Sequence, residues 1–262
     1  FHTFVGDVVV EDGRIKALVI ESKSGRQAVA GDVFIDATGD GDVAFRAGTP
    51  TVKGRKFDGR VQSLGSFFYV GGVQNAGEEE KKRAVEKIRE GLERGVIRSY
   101  HPRITGENTY HTDFFSPNMT RCAGDPTDVK DLTRAEMCIR SQAWKLVEFL
   151  KKEVPGFENC YVRRTSTQAG PRESRQVLGR YVITGEDIRN GRKFEDAVAR
   201  GSWWIDIHCP LGHTYPVHLC VKECPKGDAC DFWSAEHDTA MIAAEDLYPP
   251  DNDWYDIPYR AL

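Results

Sequence analysis

The sequence predicts a mixed α/β fold of the α+β kind, with a β-meander at the start and a larger region of helices and mixed strands after it. Apolar runs separated by tight-turn dipeptides open the chain, and two charged segments with helical periodicity follow. Of the 262 residues, 40% are hydrophobic and 29% are charged, which indicates a globular chain with a packed core.

The first predicted region, residues 4–36, is the β-meander. Asp12-Gly13 and Ser24-Gly25 supply the positive φ angles that tight hairpins need, so each pair predicts a turn between two strands. The last strand of the region is expected to be buried, because all of its residues are apolar. The four strands are predicted at Val5–Val10, Ile15–Ser22, Gln27–Ala30 and Val33–Ile35.

A change of composition follows the meander. Residues 39–60 are rich in Gly, Asp, Arg and Lys, and we expect the chain to pass there from one domain to the next. The apolar run in residues 61–73 then predicts a strand. Glu78–Gly95 is predicted as a surface helix, because its apolar residues recur at helical spacing.

A second helix begins near Asp131, where Thr133 and Glu136 have the spacing of a capping box, and it ends at the Val154–Gly156 stop. Shorter elements follow it until residue 209, beyond which the periodicity disappears. Further strands are predicted at Tyr161–Arg164, Leu178–Thr184 and Trp203–His208, a helical turn at Thr184–Asp187, and helices at Lys193–Arg200 and Ser234–Leu247.

Charge and cysteine usage exclude several classes of protein. The net charge of -4 leaves no broad basic surface, which argues against nucleic-acid binding, and no apolar stretch approaches the ~20 residues of a membrane span. Seven cysteines, an odd number, favour a reducing compartment, so we expect a cytoplasmic protein. Because the chain begins at Phe1 rather than Met, we expect it to be a segment of a longer protein.

The sharpest local signal follows the last strand of the meander. A strand that ends in small residues lets the backbone approach a ligand, because no bulky side chain obstructs contact, and this suits a dinucleotide. The same residue types also suit a tight turn, in which Asp and Gly only permit positive φ. The residues that carry this signal are Ala37, Thr38, Gly39, Asp40, Gly41 and Asp42.

The stretch Ile35–Asp42, followed by Ala47-Gly48, resembles the Ala-Thr-Gly strand of flavoproteins related to glutathione reductase. More specifically, it resembles the FAD-dependent oxidoreductase family that includes proteins similar to the flavoprotein component of heterodisulfide reductase. The family's Gly-x-Gly-x-x-Gly loop and its closing glycine-rich segment are missing from the sequence. Further segments that resemble the family, in family order, are Val154–Phe157, Gly170–Arg175, Gly179–Tyr181, Glu186–Ile188, Ile205–His208 and Ile257–Arg260.

The resemblance implies a domain plan and a set of partners. Residues 1–60 would be a partial FAD-binding domain, residues 61–208 a substrate or cap domain of mixed sheet and helices, and residues 209–262 a Cys/His-rich loop with a return segment. FAD is the implied cofactor, and Ala37–Asp42 are its implied contacts. The implied partners are a small-molecule substrate and a redox partner protein, with no nucleic acid and no membrane span, and the oligomeric state stays open.

Candidate catalytic residues lie in later segments. Arg172, Glu173 and Arg175 belong to an arginine-rich block that suits an anionic reduced flavin, a carboxylate-bearing substrate or an Arg–Glu network between elements. His208 ends an alternating strand, where a histidine suits the proton that accompanies hydride transfer; a structural histidine is the alternative. The resemblance adds Tyr259 and Arg260 as substrate or flavin contacts.

The remaining motif is the Cys/His-rich loop. Its cysteines are predicted either to bind Zn or a 4Fe-4S cluster or to be incidental thiols, since their spacing matches neither a Cys-x2-Cys knuckle nor a ferredoxin run. The candidate ligands are Cys209, Cys220, Cys224 and Cys230. The leading hypothesis is thus an FAD-dependent oxidoreductase that transfers hydride from a small organic substrate to flavin. A metal or iron–sulfur binding module on a flavoprotein-derived scaffold, and a catalytically silent fragment, are the alternatives.

Overall fold

The chain divides into two compact units, each of which is discontinuous in sequence. The first consists of residues 1–53, 175–204 and 244–262, and the second of residues 54–174 and 205–243. The predicted domain boundaries after residues 60 and 208 stay predictions. The structure, a computed structural model, describes residues 1–54, 59–74, 77–97, 99, 116–201 and 255–258.

The first unit begins with the predicted β-meander. β1 (Phe4–Glu11), β2 (Arg14–Ser22) and β3 (Gly25–Ala30) form one antiparallel sheet in that order. The φ angles of Asp12 and Gly13 are 51° and 71°, and that of Gly25 is 95°. Both hairpin turns are therefore confirmed, with the positive φ angles that the sequence indicated.

Two helices and two further strand pairs complete the described part of the first unit. α1 (Asp42–Arg46) follows the meander, and α4 (Gly185–Arg189) begins at Thr184 with the reciprocal Thr184–Asp187 bonds of a capping box, as predicted. The strand pairs are β4 (Thr51–Lys53) with β9 (Arg175–Val177), and β10 (Ala197–Gly201) with β11 (Tyr255–Pro258).

The second unit is built from two antiparallel strand pairs and two helices. β5 (Leu64–Ser66) pairs with β7 (Thr120–Cys122), and β6 (Phe68–Gly71) pairs with β8 (Tyr161–Thr165). The helices are α2 (Glu78–Glu93) and α3 (Val129–Glu153), close to the bounds that periodicity predicted. The main core is formed by Phe68, Val70, Val73, Ala84, Ile88, Met119, Ala143, Leu146, Val147, Phe149, Leu150, Val154, Phe157 and Cys160.

The long helix α3 supplies much of this core because its apolar residues return to one face every three or four positions. It ends where Val154, Pro155 and Gly156 were predicted to stop it. Its start differs from the prediction. The carboxylate of Asp128 accepts the amides of Lys130 and Asp131 and caps the helix, whereas Glu136 is used elsewhere and accepts the amide of Ala169.

Three predicted elements are wrong. Val33–Ile35 is not a strand, because no strand in the described part of the chain pairs with it. The side chains expected to be buried there are exposed, Val33 at 80% and Ile35 at 88%. Leu178–Thr184 is not a strand either, since the ladder with the three-residue β4 ends at Val177. Lys193–Arg200 is not a helix, because pairing with the distant β11 makes Ala197–Gly201 extended. None of the helices in the described part of the chain has the length and apolar composition of a membrane span.

Candidate functional site

The loop between β3 and α1 is organised by the carboxylate of Asp36. Its Oδ1 accepts hydrogen bonds from the amide and the hydroxyl of Thr38, at 3.0 and 2.7 Å, and its Oδ2 accepts the amide of Ala44 at 2.9 Å. The Thr38 hydroxyl oxygen in turn accepts the amide of Asp42 at 2.9 Å. Asp36 and Thr38 therefore fix the loop to the first turn of α1, where helical amides lack partners within the helix.

The same hydrogen bonds favour the charged form of Asp36. Burial raises the pKa of its carboxyl, but the hydrogen bonds from Ala44, Thr38 and Val43 outweigh burial and hold that pKa below its ordinary value. Asp36 was not among the predicted site residues. Its spacing from Thr38 is typical of an Asx turn, and this signal could have identified it.

Arg175 fixes the other end of the loop. Its Nη1 donates to Oδ1 of Asp42 at 2.7 Å and to the carbonyl of Asp40 at 3.3 Å, and its Cζ lies 4.3 Å from the centre of the Phe45 ring. The side chains of Arg175 and Asp42 are 14% and 34% exposed. One predicted catalytic residue thus comes together with two of the predicted cofactor contacts, through pairing between sequence-distant segments.

The two glycines of the loop, Gly39 and Gly41, differ in what surrounds them. Gly39 has a φ of 86°, and a Cβ added to it would have no heavy atom within 4 Å. Gly41 has a φ of 62°, and a Cβ there would lie 2.9 Å from Cγ2 of Val177 on β9. Gly41 therefore permits close packing of β9, whereas Gly39 leaves exposed backbone uncovered.

The chemistry of the loop restricts what could bind to it. Ala37, Thr38 and Gly39 are exposed rather than enclosed in a cleft, which corrects the expected buried strand end. Three carboxylates, those of Asp36, Asp40 and Asp42, would repel a diphosphate. Of these, the carboxylates of Asp40 and Asp42 are suitable acceptors for ribose hydroxyls, and the uncovered backbone is open to a flat ring. The residues present thus fit the sugar or ring portions of a dinucleotide, and they do not fit its phosphates.

Glu173 and Arg172 belong to the second unit. Oε2 of Glu173 accepts the amide of Gln62 at 3.0 Å, and Arg172 is partly exposed. The Glu173 contact ties two segments of that unit together. This contact is of the kind expected for the Arg–Glu network, one of the alternatives that the sequence left open, and the catalytic roles of Arg172 and Glu173 stay predictions.

The other predicted site residues lie outside the described residues. Metal binding by the cysteines stays a prediction. Among the described residues, no group of three or more His, Cys, Asp or Glu side chains is arranged to hold a metal ion. The residues concerned are His208, Tyr259, Arg260, Cys209, Cys220, Cys224 and Cys230.

The second unit contains a cavity of about 320 Å³ beside α3. Its wall includes Arg60, Arg134, Asp125 and Asp131. Arg134 donates to Asp131 at 3.1 Å, and the hydrogen bonds from the Asp125 amide and from Arg134 lower the pKa of Asp131. Because the charges of Arg134 and Asp131 are paired within the wall, the cavity suits a small polar molecule more than a strongly charged one.

A family model described as FAD dependent oxidoreductase matches residues 1–262. No curated protein and no solved structure matches the chain. The family match covers the segments that form both units, and it includes the loop that Asp36 organises.

Proposed function

The chain belongs to the FAD dependent oxidoreductase family, and we propose that its reaction is hydride transfer from a small organic substrate to FAD. Membership of the family supports flavin redox chemistry as the general function. FAD, when bound, supplies the ring that accepts the hydride. The residues of this chain supply binding, orientation and the movement of a proton.

The observation that carries the proposal is the uncovered backbone at Ala37–Gly39, presented by a loop that is fixed at both ends. Asp36 holds the loop through amides of α1, and Arg175 holds Asp42. A loop ordered in this way before the cofactor arrives loses little conformational entropy on binding, which favours affinity. We therefore assign Ala37, Thr38 and Gly39 to contact with FAD.

The charges around the loop orient the cofactor in this proposal. The carboxylates of Asp40 and Asp42 accept ribose hydroxyls, and together with Asp36 they keep the phosphates away from this segment. Arg175 neutralises the charge of Asp42 and so reduces the electrostatic repulsion between the loop and the phosphates of FAD. Its role is to position the loop, because its Nη1 already bonds Asp42 and the Asp40 carbonyl.

Proton transfer is assigned to His208. The assignment rests on the sequence, in which a histidine ends the alternating segment Trp204–His208. It predicts that His208→Gln lowers kcat by about 10²- to 10⁴-fold while FAD remains bound. Unchanged kcat with a normal flavin spectrum would exclude this role.

Two matched alanine substitutions test the binding proposal. Ala37→Leu places bulk on the exposed backbone, whereas Ala28→Leu places the same bulk at an exposed position on β3. We expect Ala37→Leu to raise the Kd for FAD on the order of tenfold, equivalent to about 1.4 kcal/mol, and Ala28→Leu to leave it unchanged. Flavin absorbance and fluorescence titration of the protein without bound cofactor measure both values. Equal affinities of the two variants would contradict the assignment of the loop.

A further inference from the structure

Two cysteines of the second unit face each other across the contact between β7 and α3. Cys122 ends β7, and Cys138 lies in α3, between Arg134 and Gln142 on one stripe of the helix. Cys122 is a buried member of a small apolar cluster, and the partly buried Cys138 packs against that same cluster. Both are free thiols in the structure.

The residues on either side of each cysteine hold the pair in register. The amide group of Gln142 accepts the backbone N–H of Arg121 at 3.1 Å and donates to its carbonyl at 2.7 Å. One helical turn before Cys138, Arg134 donates to the carbonyl of Ala123 at 2.9 Å. Because β7 is bound to α3 on both sides of Cys122, the two thiols have little freedom to separate in the folded state.

Polar side chains also reach the sulfur atoms themselves. Nη1 of Arg134 lies 3.8 Å from Sγ of Cys122, and Nε2 of Gln142 lies 3.3 Å from Sγ of Cys138. A guanidinium beside a thiol stabilises the thiolate form, which is the nucleophile in disulfide exchange. Cys160 differs, since it is buried in the main core and its Sγ contacts the carbonyl of Val147.

We propose that Cys122 and Cys138 form a redox-active dithiol, which closes to a disulfide between β7 and α3 by exchange with a low-molecular-weight disulfide. Cys138 is partly exposed and meets the reagent first. Its thiolate attacks one sulfur of R–S–S–R and releases one R–S⁻, and the Cys122 thiolate then attacks the Cys138 sulfur and releases the second. One S–S bond forms in the protein and one breaks in the reagent. The cysteines lose two electrons and two protons, and the reagent leaves as two thiols.

The surroundings of the two cysteines indicate which thiol reacts first. Burial, together with the neighbouring Cys138, raises the pKa of the Cys122 thiol to about 12, and Arg134 opposes this rise. Cys122 is therefore a poor first nucleophile, and it reacts once Cys138 is held beside it as a mixed disulfide. Arg134 also lines the cavity of about 320 Å³, so closure of the disulfide alters a contact made by the cavity wall.

Peptide mapping after oxidation tests the proposal on the full chain. The folded protein is treated with hydroxyethyl disulfide, its remaining thiols are alkylated, and it is digested with trypsin. Cleavage places Cys122 in the peptide Cys122–Lys130 and Cys138 in the peptide Ala135–Arg140, so the disulfide appears as one cross-linked pair. Cys138→Ser removes the pair, and Cys160→Ser serves as the matched control that removes a different buried thiol.

We expect the cross-linked pair to form in the folded wild-type chain and in Cys160→Ser, and to be absent from Cys138→Ser. Its rate of formation in the folded chain should exceed that in urea roughly tenfold or more, because the fold holds the thiols together. A stable mixed disulfide on Cys138 without the cross-link would overturn the proposal. Equal rates in folded and urea-unfolded protein would overturn it as well.

Discussion

Replacement of Arg175 by methionine is the perturbation that most sharply tests how the loop is held. The change keeps an extended apolar side chain but removes the bond to Asp42, the bond to the Asp40 carbonyl and the cation–π contact with Phe45. A hydrogen bond between charged groups contributes about 1.5–3 kcal/mol, and partial exposure of Asp42 reduces that value. A cation–π contact adds about 0.5–1 kcal/mol. We therefore expect the loop to lose about 2–3 kcal/mol of local stability.

Amide hydrogen exchange measures this loss directly. The amides of Asp42 and Ala44 are bonded to Thr38 and Asp36, so they report on opening of the loop. A loss of about 2–3 kcal/mol predicts exchange about 30- to 150-fold faster in Arg175→Met. Arg180→Met, which alters an exposed arginine of the same unit, is the control and should exchange at the wild-type rate. Equal exchange in the two variants would refute the role given to Arg175.

The other predictions concern packing and pH. Gly91→Ala should destabilise the second unit by about 1–3 kcal/mol in urea unfolding, because its Cβ would lie 2.6 Å from Cζ of Phe149. A second substitution, Phe149→Leu, should relieve this loss, whereas stabilisation by Gly91→Ala alone would contradict the packing. Thr184→Ala should cost about 1 kcal/mol through loss of the α4 cap, a loss that unchanged urea stability would disprove. Burial raises the pKa of Asp187, but bonds from Tyr181, Thr184 and Arg192 lower it well below its ordinary value of 3.8. The stabilisation that ionised Asp187 contributes should therefore be fully present above about pH 5 and be lost as the pH falls through the acidic range. The free energy of unfolding should decline less steeply with falling pH in Asp187→Asn than in the wild type, and parallel declines would rule out this contribution.

Local signals in the sequence predicted the elements whose stability depends on near neighbours. Asp12-Gly13 and Gly25 set the hairpins of the meander, and the Thr184–Asp187 pair marked the start of α4. Some elements that depend on a distant partner were predicted wrongly. Ala197–Gly201 is extended only because it pairs with Tyr255–Pro258, and nothing in its own sequence indicates that partner.

The candidate site likewise contains residues that local sequence could identify and one residue whose role it could not. The glycines and aspartates at 39–42 were recognisable because their side-chain size and φ preferences are local properties. The role of Arg175 was not, since its partner Asp42 lies far away in sequence and any arginine of the block could have filled that place. Asp128 and Thr133 show the same limit at short range, because both lie near the start of α3 and only the fold selects Asp128 as its cap.

Hydrogen exchange with and without the cofactor shows whether FAD lies against the backbone of Ala37–Gly39. Peptides that cover residues 36–44 are followed by mass spectrometry as FAD is added to saturation. This contact predicts slower exchange in these peptides, and a smaller slowing in Ala37→Leu at the same FAD concentration. Binding of FAD with protection confined to other segments would contradict it.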